Sequence, residues 1–260
     1  MSEDLKSLRN RIDMADEELI SALKKRFEIT AGIGEYKAET GTELFCPERE
    51  EEKIQGVREH LGDYIYSDYI ADLFRDVMDY SKIQQSRNIY GEKDIFIIGM
   101  PGSGKSLIGK ILSEKMFRDF IDLDIKFEEI YDESPAQVIE AKGESVFRDL
   151  ETAVLKNVSG SKNTDEKKRC YKGRVISCGG GIVVRDENKD ILKKNSIVIY
   201  IKRGLDKLSS KGRPLSGSIG VEKLYGARYE KYESWSDFTA DNNSSPENCV
   251  KYILSELKKK

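Results

Sequence analysis

Apolar residues recur at spacings of three and four through the first part of the chain, which is the period of helices that bury one face. The longest run predicts one helix from about 4 to 38. A second helix is predicted to begin near Pro47, where proline suits the first helical turn, and a third to cover about 66 to 85. The residues that set this spacing are Leu5, Leu8, Ile12, Ala15, Leu19, Ala22, Ile29, Ile33 and Tyr36, then Ile54, Val57 and Leu61, then Tyr66, Ile70, Leu73 and Val77. The first 86 residues are therefore predicted to be all-helical.

The pattern changes at Asp94, where short β-rich runs begin to alternate with helical stretches. The runs are "DIFIIGM", "RVISCGG" and "SIVIYIK". This alternation predicts an α/β domain with a parallel sheet. We therefore expect a helical domain over 1–86, a linker over 87–93 and an α/β domain over 94–260. The polar stretch 159–173 is predicted to be a surface insertion without structure of its own.

The composition fits two folded domains, because the chain has 260 residues, of which 38% are hydrophobic and 35% charged. A net charge of -3 indicates neither a nucleic acid nor an anionic membrane as partner. The start of the chain lacks the apolar segment of a signal peptide, so we expect a cytoplasmic location. Four scattered cysteines indicate reduced thiols rather than a disulfide framework or a zinc site, and these are Cys46, Cys170, Cys178 and Cys249.

The segment "GMPGSGKS" matches the phosphate-loop pattern G-x-x-x-x-G-K-S and lies between a predicted strand and a predicted helix. Glycines let backbone N–H groups converge on phosphate oxygens, and the helix N-terminus adds its positive end. Lys105 is expected to reach the terminal phosphates and Ser106 to bind Mg²⁺. The sequence thus predicts an ATP site formed by Gly99, Pro101, Gly102, Ser103, Gly104, Lys105, Ser106 and Leu107.

Two acidic residues, Asp122 and Asp124, follow a predicted strand two positions apart, so their side chains are expected to face the same way. A helix-capping acidic turn is the alternative. Arg148 and Glu151 lie one helical turn apart, and an ordinary surface ion pair is the alternative there.

Three glycines, Gly179, Gly180 and Gly181, come directly after another predicted strand. They would let a ligand lie against bare backbone, although a tight turn explains them equally well. Arg213 lies in "KGRPL" and Arg228 in "ARYEKYESW". Taken singly, arginines of this kind are usually solvated surface charges.

Taken together and in this order, these motifs over residues 94–257 resemble the shikimate kinases, phosphate-loop kinases with an adenylate-kinase-like fold. The resemblance implies ATP-dependent, Mg²⁺-dependent phosphorylation of shikimate. It implies that Arg148 and Arg228 clamp the substrate carboxylate and that Asp124 orients the reacting hydroxyl. Asp122 would hold the Mg²⁺ hydration shell, the three glycines would approach the ring, and Arg213 would neutralise charge on the transferred phosphoryl group from a lid.

Two departures from the family pattern concern nucleotide binding and the lid. The arginine that family members often stack on adenine has no match between Lys207 and Ser210, and the segment between Arg213 and Arg228 is short. A different acceptor, such as another small polyol like gluconate or a nucleotide, is the alternative reading of the same fold.

In the helical half, charged and polar residues stand where the apolar stripes should continue, at Arg26, Glu50, Ser81 and Gln85. Broken stripes on facing helices indicate a polar site inside the bundle. A structural salt bridge, such as Arg26 with Glu50, is the alternative.

The segments "LRNRID", "KKRFEITAGIGEYK", "CPEREEE" and "YSKIQQ" resemble the all-helical chorismate mutases. That resemblance implies rearrangement of chorismate to prephenate. Lys37 and Gln85 would face the ether oxygen, and Arg9 would come from a second subunit. The implied binding residues are Arg9, Arg26, Lys37, Arg49, Glu50, Ser81 and Gln85. Cys46 stands where family members commonly have aspartate, so weaker activity is expected.

A helix over 4–38 is about 50 Å long, too long for its apolar stripe to be covered by the rest of the helical half. A second copy would cover it, so we predict a homodimer through this domain. The combined prediction is a bifunctional enzyme of aromatic amino acid biosynthesis acting on small molecules. The alternative makes the helical half a non-catalytic dimerisation or regulatory module.

Overall fold

The computed structural model describes residues 4–42, 44–161, 173–208 and 220–259. The chain divides into two compact units, Met1–Ile89 and Tyr90–Lys260. They are called here the helical unit and the kinase-like unit, and each is described by itself.

The helical unit consists of the three predicted helices, which are confirmed as α1 (Leu5–Thr40), α2 (Pro47–Leu61) and α3 (Ser67–Tyr90). Asp4 caps α1, because its carboxylate accepts a hydrogen bond from the backbone N–H of Ser7 at 2.7 Å. Gly41 ends the helix in the left-handed conformation, with φ of 71°. The third helix runs beyond its predicted end, through the first four residues of the predicted linker.

The hydrophobic core of the helical unit is small. It is a cluster of Ile54, Ala71 and Met78 with Val57 packed against it. In the 36 residues of α1 the one buried residue is Gly34. Large apolar side chains on this helix are exposed instead, at Leu5, Leu8, Ile12, Met14, Leu19, Ile20, Ile29, Ile33 and Tyr36. Much of the apolar surface of α1 therefore has no cover within one chain.

The kinase-like unit is built on a sheet of five parallel strands in the order β2-β3-β1-β4-β5. The strands are β1 (Asp94–Ile98), β2 (Phe120–Asp122), β3 (Val175–Ser177), β4 (Ser196–Lys202) and β5 (Phe238–Asp241). The three strand runs read from the pattern each contain a strand, so the parallel sheet is confirmed. The short β5 was missed, because "FTAD" is too brief and too polar to stand out as a strand.

Helices surround the sheet: α4 (Lys105–Met116), α5 (Leu123–Tyr131), α6 (Pro135–Lys142), α7 (Glu144–Gly160), α8 (Glu187–Lys193), α9 (Val221–Trp235) and α10 (Pro246–Leu257), with a 3₁₀ turn at Leu205–Lys207. Successive strand residues point to opposite faces of a sheet. Ile97 and Phe96 in β1 are both buried, so both faces of the sheet are covered.

A parallel sheet brings the carboxyl ends of its strands to one edge, and the candidate chemistry of this chain follows those ends. The phosphate loop follows β1, and Asp122 closes β2. The glycine run follows β3, Arg203 follows β4 and Asn242 follows β5. The sheet topology therefore gathers segments that are up to 143 residues apart in sequence, since the loop begins at 99 and Asn242 closes the set.

At the start of the kinase-like unit, Arg118 holds the chain that leads into β1. Its guanidinium donates to the carbonyls of Tyr90, Gly91 and Lys93. Burial lowers the pKa of Arg118 to about 10. Residues 162–172 of the predicted insertion lie outside the described residues. Within the described ranges, no helix is long and apolar enough to cross a membrane.

Two helical glycines allow a matched test of this packing. A Cβ at Gly109 in α4 would lie 2.6 Å from the Phe120 ring, whereas one at Gly226 in α9 would meet no atom within 4 Å. Gly109→Ala should destabilise the kinase-like unit by about 1–3 kcal/mol through overpacking. Gly226→Ala should stabilise it by about 0.5–1 kcal/mol. Thermal unfolding of both variants checks this, and equal Tm values would contradict the packing described.

Candidate functional sites

The phosphate loop connects β1 to α4 and has the conformation that its glycines allow. Gly99, Gly102 and Gly104 have φ values of 146°, 83° and 95°, which L side chains rarely adopt. A Cβ at Gly99 would also lie 2.5 Å from the carbonyl oxygen of Ile201 in β4. The loop is thus fixed by backbone contacts on its sheet side, and the N-terminus of α4 begins directly after it.

The functional groups at the end of the loop point back towards the loop and β3. Lys105 Nζ donates to the carbonyl of Met100 at 3.0 Å, so the ammonium lies over the loop itself. Ser106 Oγ lies 3.4 Å from Ser177 Oγ, the last residue of β3. The loop therefore presents an ammonium, a hydroxyl and a helix N-terminus at one place, an arrangement whose chemistry suits phosphate oxygens.

Two residues outside the phosphate-loop motif approach the loop carbonyls. Asn242 Nδ2 donates to Ser103 O at 2.8 Å, and Arg203 Nη1 donates to Gly102 O at 3.4 Å. No short motif surrounds either residue, so only their places directly after β4 and β5 could have pointed to them.

Asp122 and Asp124 lie together but act differently. Asp122 caps α5, because its Oδ1 accepts from the backbone N–H of Asp124 at 3.0 Å, so the capping alternative is correct for this residue. Asp124 remains accessible to solvent, since it faces the open edge of the sheet. The protein atoms around it nonetheless raise the pKa of Asp124 through desolvation, and the Asp122 carboxylate raises it further.

In the run after β3, a side chain at either of the first two glycines would collide with a neighbouring residue, and that residue differs between the two positions. A Cβ at Gly179 would lie 2.6 Å from Glu151 Oε1 and 2.9 Å from Asp124 Oδ1. A Cβ at Gly180 would lie 2.6 Å from the Pro101 ring of the phosphate loop. The run therefore passes between the acidic residues and the loop, and a tight turn alone does not account for it.

Gly181 packs against Arg148, and a Cβ there would overlap the guanidinium. Arg148 is 4% exposed and forms ion pairs with Glu151 at 2.7 Å and Glu144 at 2.9 Å. The expected alternative of a surface ion pair is wrong, because Arg148 and Glu151 are both buried. Burial lowers the pKa of Arg148, but the two carboxylates more than offset it, so that its pKa is raised.

Glu151 is a buried carboxylate that sequence reasoning treated only as the partner of Arg148. It is 5% exposed, and within the described part of the chain its Oε1 has no hydrogen-bond partner. Burial raises the pKa of Glu151, although Arg148 lowers it. Its place beside Asp124 and Gly179 makes it part of the same site.

Arg228 and Tyr232 of α9 reach the glycine run from the other side. Arg228 Nη1 donates to Gly180 O at 3.1 Å, and the Tyr232 hydroxyl donates to the same oxygen at 2.5 Å. Burial raises the pKa of Tyr232 to about 12. Arg148 and Arg228 thus converge on consecutive glycines. Arg213 lies outside the described residues.

In the helical unit, the polar residues are brought together in pairs that differ from the expected one. Arg26 Nη1 donates to Ser81 Oγ at 2.5 Å and to Val77 O at 3.3 Å. Glu50 pairs with Lys82 at 2.9 Å. The alternative that paired Arg26 with Glu50 is therefore wrong. Lys82 was missed because no pattern in the sequence distinguishes it from its neighbour Ser81. Burial lowers the pKa of Arg26.

Lys37 of α1 and Gln85 of α3 both lie near Gly34 of α1. A Cβ at Gly34 would lie 2.8 Å from Gln85 Cγ, so the glycine lets α3 approach α1 at this point. Lys37, one turn further, donates from Nζ to the Leu44 carbonyl at 2.8 Å. Gln85 is buried, and among the described residues its Oε1 has no partner.

Arg49 and Arg9 lie at the edges of this arrangement. Arg49 is exposed and pairs with Glu52 at 2.7 Å. Arg9 is exposed and lies 17 residues before Arg26 on α1, which corresponds to about 25 Å along the helix axis. Arg9 and Arg26 therefore cannot contact one small ligand within one chain.

A cleft of about 520 Å³ opens beside Arg26 in the helical unit. It is lined by Arg26, Arg49, Glu52, Lys53, Gly56, Val57, His60, Leu61, Ile70, Phe74 and Met78. The lining combines basic and apolar residues and includes one carboxylate, Glu52. Across both units, the described residues contain no cluster of three or more His, Cys, Asp or Glu that could hold a metal.

A parallel sheet with a phosphate loop after β1, and with acidic, arginine and glycine elements at the same edge, defines a phosphate-loop phosphotransferase. Here it follows a helical domain with its own polar site. The family model for shikimate kinase matches residues 101–258, and the model for chorismate mutase type II matches 8–86. The chain belongs to the shikimate kinase family and carries a chorismate mutase type II domain in front of the kinase.

Individual relatives agree with this assignment. A shikimate kinase of Clostridium botulinum is 35% identical over 171 residues, which cover 64% of this chain and 94% of that protein. The shikimate kinase of Aquifex aeolicus has a solved structure that is 30% identical, with a TM-score of 0.53, covering 64% of this chain and 96% of that one. A structure of the Acinetobacter baumannii shikimate kinase in complex with shikimate has a TM-score of 0.56 at 24% identity, covering 66% and 94%.

The raised pKa of Asp124 gives a prediction with a definite sign. A carboxylate whose pKa is higher in the folded than in the unfolded state costs stability once it is ionised. Asp124→Asn should therefore raise the Tm of the kinase-like unit at neutral pH.

The gain should shrink as the pH falls through the pKa of Asp124, because the wild-type carboxyl then becomes neutral as well. Thermal unfolding from pH 4 to 8 measures the difference. Asp149→Asn, which removes an exposed carboxylate paired with Arg185, is the control. A lower Tm for Asp124→Asn at pH 7 would contradict the electrostatic description.

Proposed function

We propose that this protein is a bifunctional enzyme that phosphorylates shikimate to shikimate 3-phosphate with ATP and rearranges chorismate to prephenate. The kinase assignment rests above all on the convergence of Arg148 and Arg228 on Gly180 and Gly181, with Gly180 packed against Pro101 of the phosphate loop. An acid-binding pocket thereby adjoins a phosphate site, which is what phosphorylation of a hydroxylated ring acid requires.

The two arginines would bind the shikimate carboxylate through their planar N–H groups. Three bonds from Arg148 go to Glu144 and Glu151 within the described residues. A guanidinium has five N–H donors, so donors remain for a substrate. The glycine run would lie against the ring, because no side chain separates it from the pocket.

Asp124 would accept a hydrogen bond from the reacting hydroxyl and take up its proton. The hydroxyl oxygen forms the new bond to the γ-phosphorus while the bond from that phosphorus to the bridging oxygen breaks, and ADP leaves. Such transfers depend on positioning and charge stabilisation more than on covalent help from the protein. The raised pKa of Asp124 brings this carboxylate closer to the pH at which a base is effective.

ATP would be bound by the loop residues Gly99, Pro101, Gly102, Ser103, Gly104, Lys105, Ser106 and Leu107. Lys105 would exchange the Met100 carbonyl for phosphate oxygens. The positive φ values of Gly99, Gly102 and Gly104 curve the loop so that its backbone N–H groups could converge on a triphosphate. Arg213 is proposed to approach the transferred group from the lid.

Mg²⁺ is proposed to be held by Ser106 directly and by Asp122 through water. A hydroxyl and a carboxylate are the hard oxygen donors that this ion prefers. When bound, the ion neutralises charge on the β- and γ-phosphates. Asp122 Oδ1 already accepts from the Asp124 N–H, so the cap would fix the orientation of this carboxylate.

The mutase site would lie between α1 and α3, along the line from the Arg26–Ser81 contact to Lys37 and Gln85. The rearrangement needs no acid, base or covalent step, only a compact substrate conformer and stabilisation of charge on the ether oxygen. Arg26 and Ser81 would bind a carboxylate, and Lys37 and Gln85 would donate to the ether oxygen. Glu50 and Arg49 would bind the ring hydroxyl, with Lys82 orienting Glu50.

The proposed homodimer is supported by two features of the helical unit. Arg9 lies too far from Arg26 to join it within one chain, and the apolar side chains of α1 are exposed, Leu19 at 57%. A second copy would cover this surface and bring its own Arg9 to the cleft beside Arg26. We propose that the active mutase is such a dimer, that its domain ends near 86, that the kinase domain begins near 94, and that the protein is cytoplasmic.

The two activities should be separable by single substitutions if each site lies within its own domain. Lys105→Ala should abolish ATP-dependent phosphorylation of shikimate while chorismate disappears at the wild-type rate. Arg26→Ala should do the reverse. The kinase is measured by ADP release with shikimate, gluconate or a nucleoside monophosphate as acceptor, and the mutase by loss of chorismate absorbance. Faster release of ADP with gluconate than with shikimate would contradict the proposal that shikimate is the acceptor.

Dimerisation should be required by the mutase and dispensable for the kinase. Ile12→Glu combined with Leu19→Glu places two charges on the exposed face of α1, which should cost nothing in a monomer. Sedimentation of the full chain should then change from dimer to monomer, with loss of mutase activity.

Tyr252→Glu, a charge on an exposed residue of α10, is the control and should leave the dimer intact. A wild-type chain that sediments as a monomer while its mutase is active would refute the dimer.

A further inference from the structure

We propose that Asn242 is a positioning residue for the nucleotide: its amide holds the sheet side of the phosphate loop so that the backbone N–H of Gly104 faces the phosphates. The proposal rests on the kinase function proposed above. It adds a residue outside the phosphate-loop motif, 138 positions after Gly104 in the sequence.

Asn242 is held in place before it contacts the loop. It follows β5 directly, and its backbone N–H donates to Lys202 O at 2.8 Å, which continues the pairing of β5 with β4. The residue is 5% exposed. Its side chain is therefore anchored by the sheet, and the 2.8 Å bond from Nδ2 to Ser103 O ties the loop to the carboxyl end of β5.

The orientation of Gly104 follows from the planarity of the peptide. The carbonyl of Ser103 and the N–H of Gly104 belong to one peptide group, and in a trans peptide they point in opposite directions. Asn242 draws the carbonyl to the sheet side of the loop. The N–H is therefore turned to the opposite side, where a phosphate loop gathers its donors.

A steric contact supports the same role independently. A Cβ at Gly104 would lie 2.5 Å from Asn242 Nδ2, so the amide is packed directly against this glycine. Gly104 has φ of 95° and precedes α4 as its N-cap. The amide thus supports the point where the loop enters the helix whose N-terminus faces the nucleotide. Arg203 contacts the preceding carbonyl, Gly102 O, from the end of β4.

The chemistry of the contact calls for a neutral donor. A carboxylate at this position would have only acceptor oxygens to place beside the Ser103 carbonyl, which is itself an acceptor. It would also add a negative charge near a triphosphate. Protonated, the same carboxyl group has an O–H that can donate to the carbonyl. An aspartate variant should therefore regain function as the pH falls, which a residue that only fills space would not produce.

The test compares Asn242→Ala and Asn242→Asp with the wild-type chain. Calorimetry with MgADP gives nucleotide affinity, and steady-state kinetics give separate KM values for ATP and shikimate. Asn242→Ala should bind MgADP about five- to tenfold more weakly, the scale of one lost hydrogen bond. The KM for shikimate and the mutase rate should stay within twofold of wild type.

Asn242→Asp should lose more affinity than Asn242→Ala at pH 8 and recover part of it at pH 5.5. Asn248→Asp is the matched control for added charge, because Asn248 is exposed in the first turn of α10. Its affinity relative to wild type should change little between the two pH values.

Three results would overturn the proposal. They are wild-type MgADP affinity for Asn242→Ala, equal weakening of the KM for ATP and shikimate, and the same pH response for Asn242→Asp and Asn248→Asp. Asn242→Asp is close to isosteric, so it keeps the test decisive if Asn242→Ala unfolds. If wild type binds MgADP but does not phosphorylate shikimate, the kinase proposal fails, while the affinity comparison still decides the role of Asn242.

Discussion

The kinase half depends on one constraint: five parallel strands must end at the same edge of the sheet. Nothing in the local sequence relates Gly104, Asp124, Gly180 and Asn242, yet each stands just beyond the end of a strand. Parallel order also buries both faces of the sheet, so the open edge is the place where backbone groups and charges can meet a ligand. The order β2-β3-β1-β4-β5 puts the phosphate loop in the middle. Its neighbours can therefore supply the acidic residues from one side and the asparagine from the other.

The glycines illustrate how packing rather than flexibility defines the site. Gly179 leaves room for two carboxylates, Gly180 for a proline of the loop, and Gly181 for a guanidinium. If these glycines served only to make the loop flexible, they would not each be packed against a different neighbouring residue. Glu151 has a raised pKa because this packing buries it, and Asp124 has a raised pKa because the surrounding protein atoms desolvate it in part and Asp122 lies beside it. Packing and electrostatics in this pocket thus have a common origin.

Much of this organisation could be predicted from the sequence, and the limits have physical causes. The long periodic helices and the phosphate loop were predictable because each is encoded by neighbours in sequence. The pairs Arg26–Ser81 and Glu50–Lys82 were not, since helix rotation of a few tens of degrees decides which of several charges meet. Asn242 was not linked to the phosphate loop for a related reason. It acts across the sheet from a short strand, and "DNNSS" is typical of any polar loop. Arg148 was placed correctly on its helix, but its burial depends on glycines that follow another strand.

The two ion pairs of Arg148 have a consequence for selectivity. Its positive charge is already balanced by Glu144 and Glu151, so the pocket offers little net attraction to a lone chloride or phosphate ion. An anion gains there only if it also reaches Arg228 and fits against bare backbone, and a ring of the right breadth does both at once. Because Arg148 is already paired before any ligand binds, the pocket would select anions by the size of the molecule that carries them. The many small acids of a cell would then not occupy it.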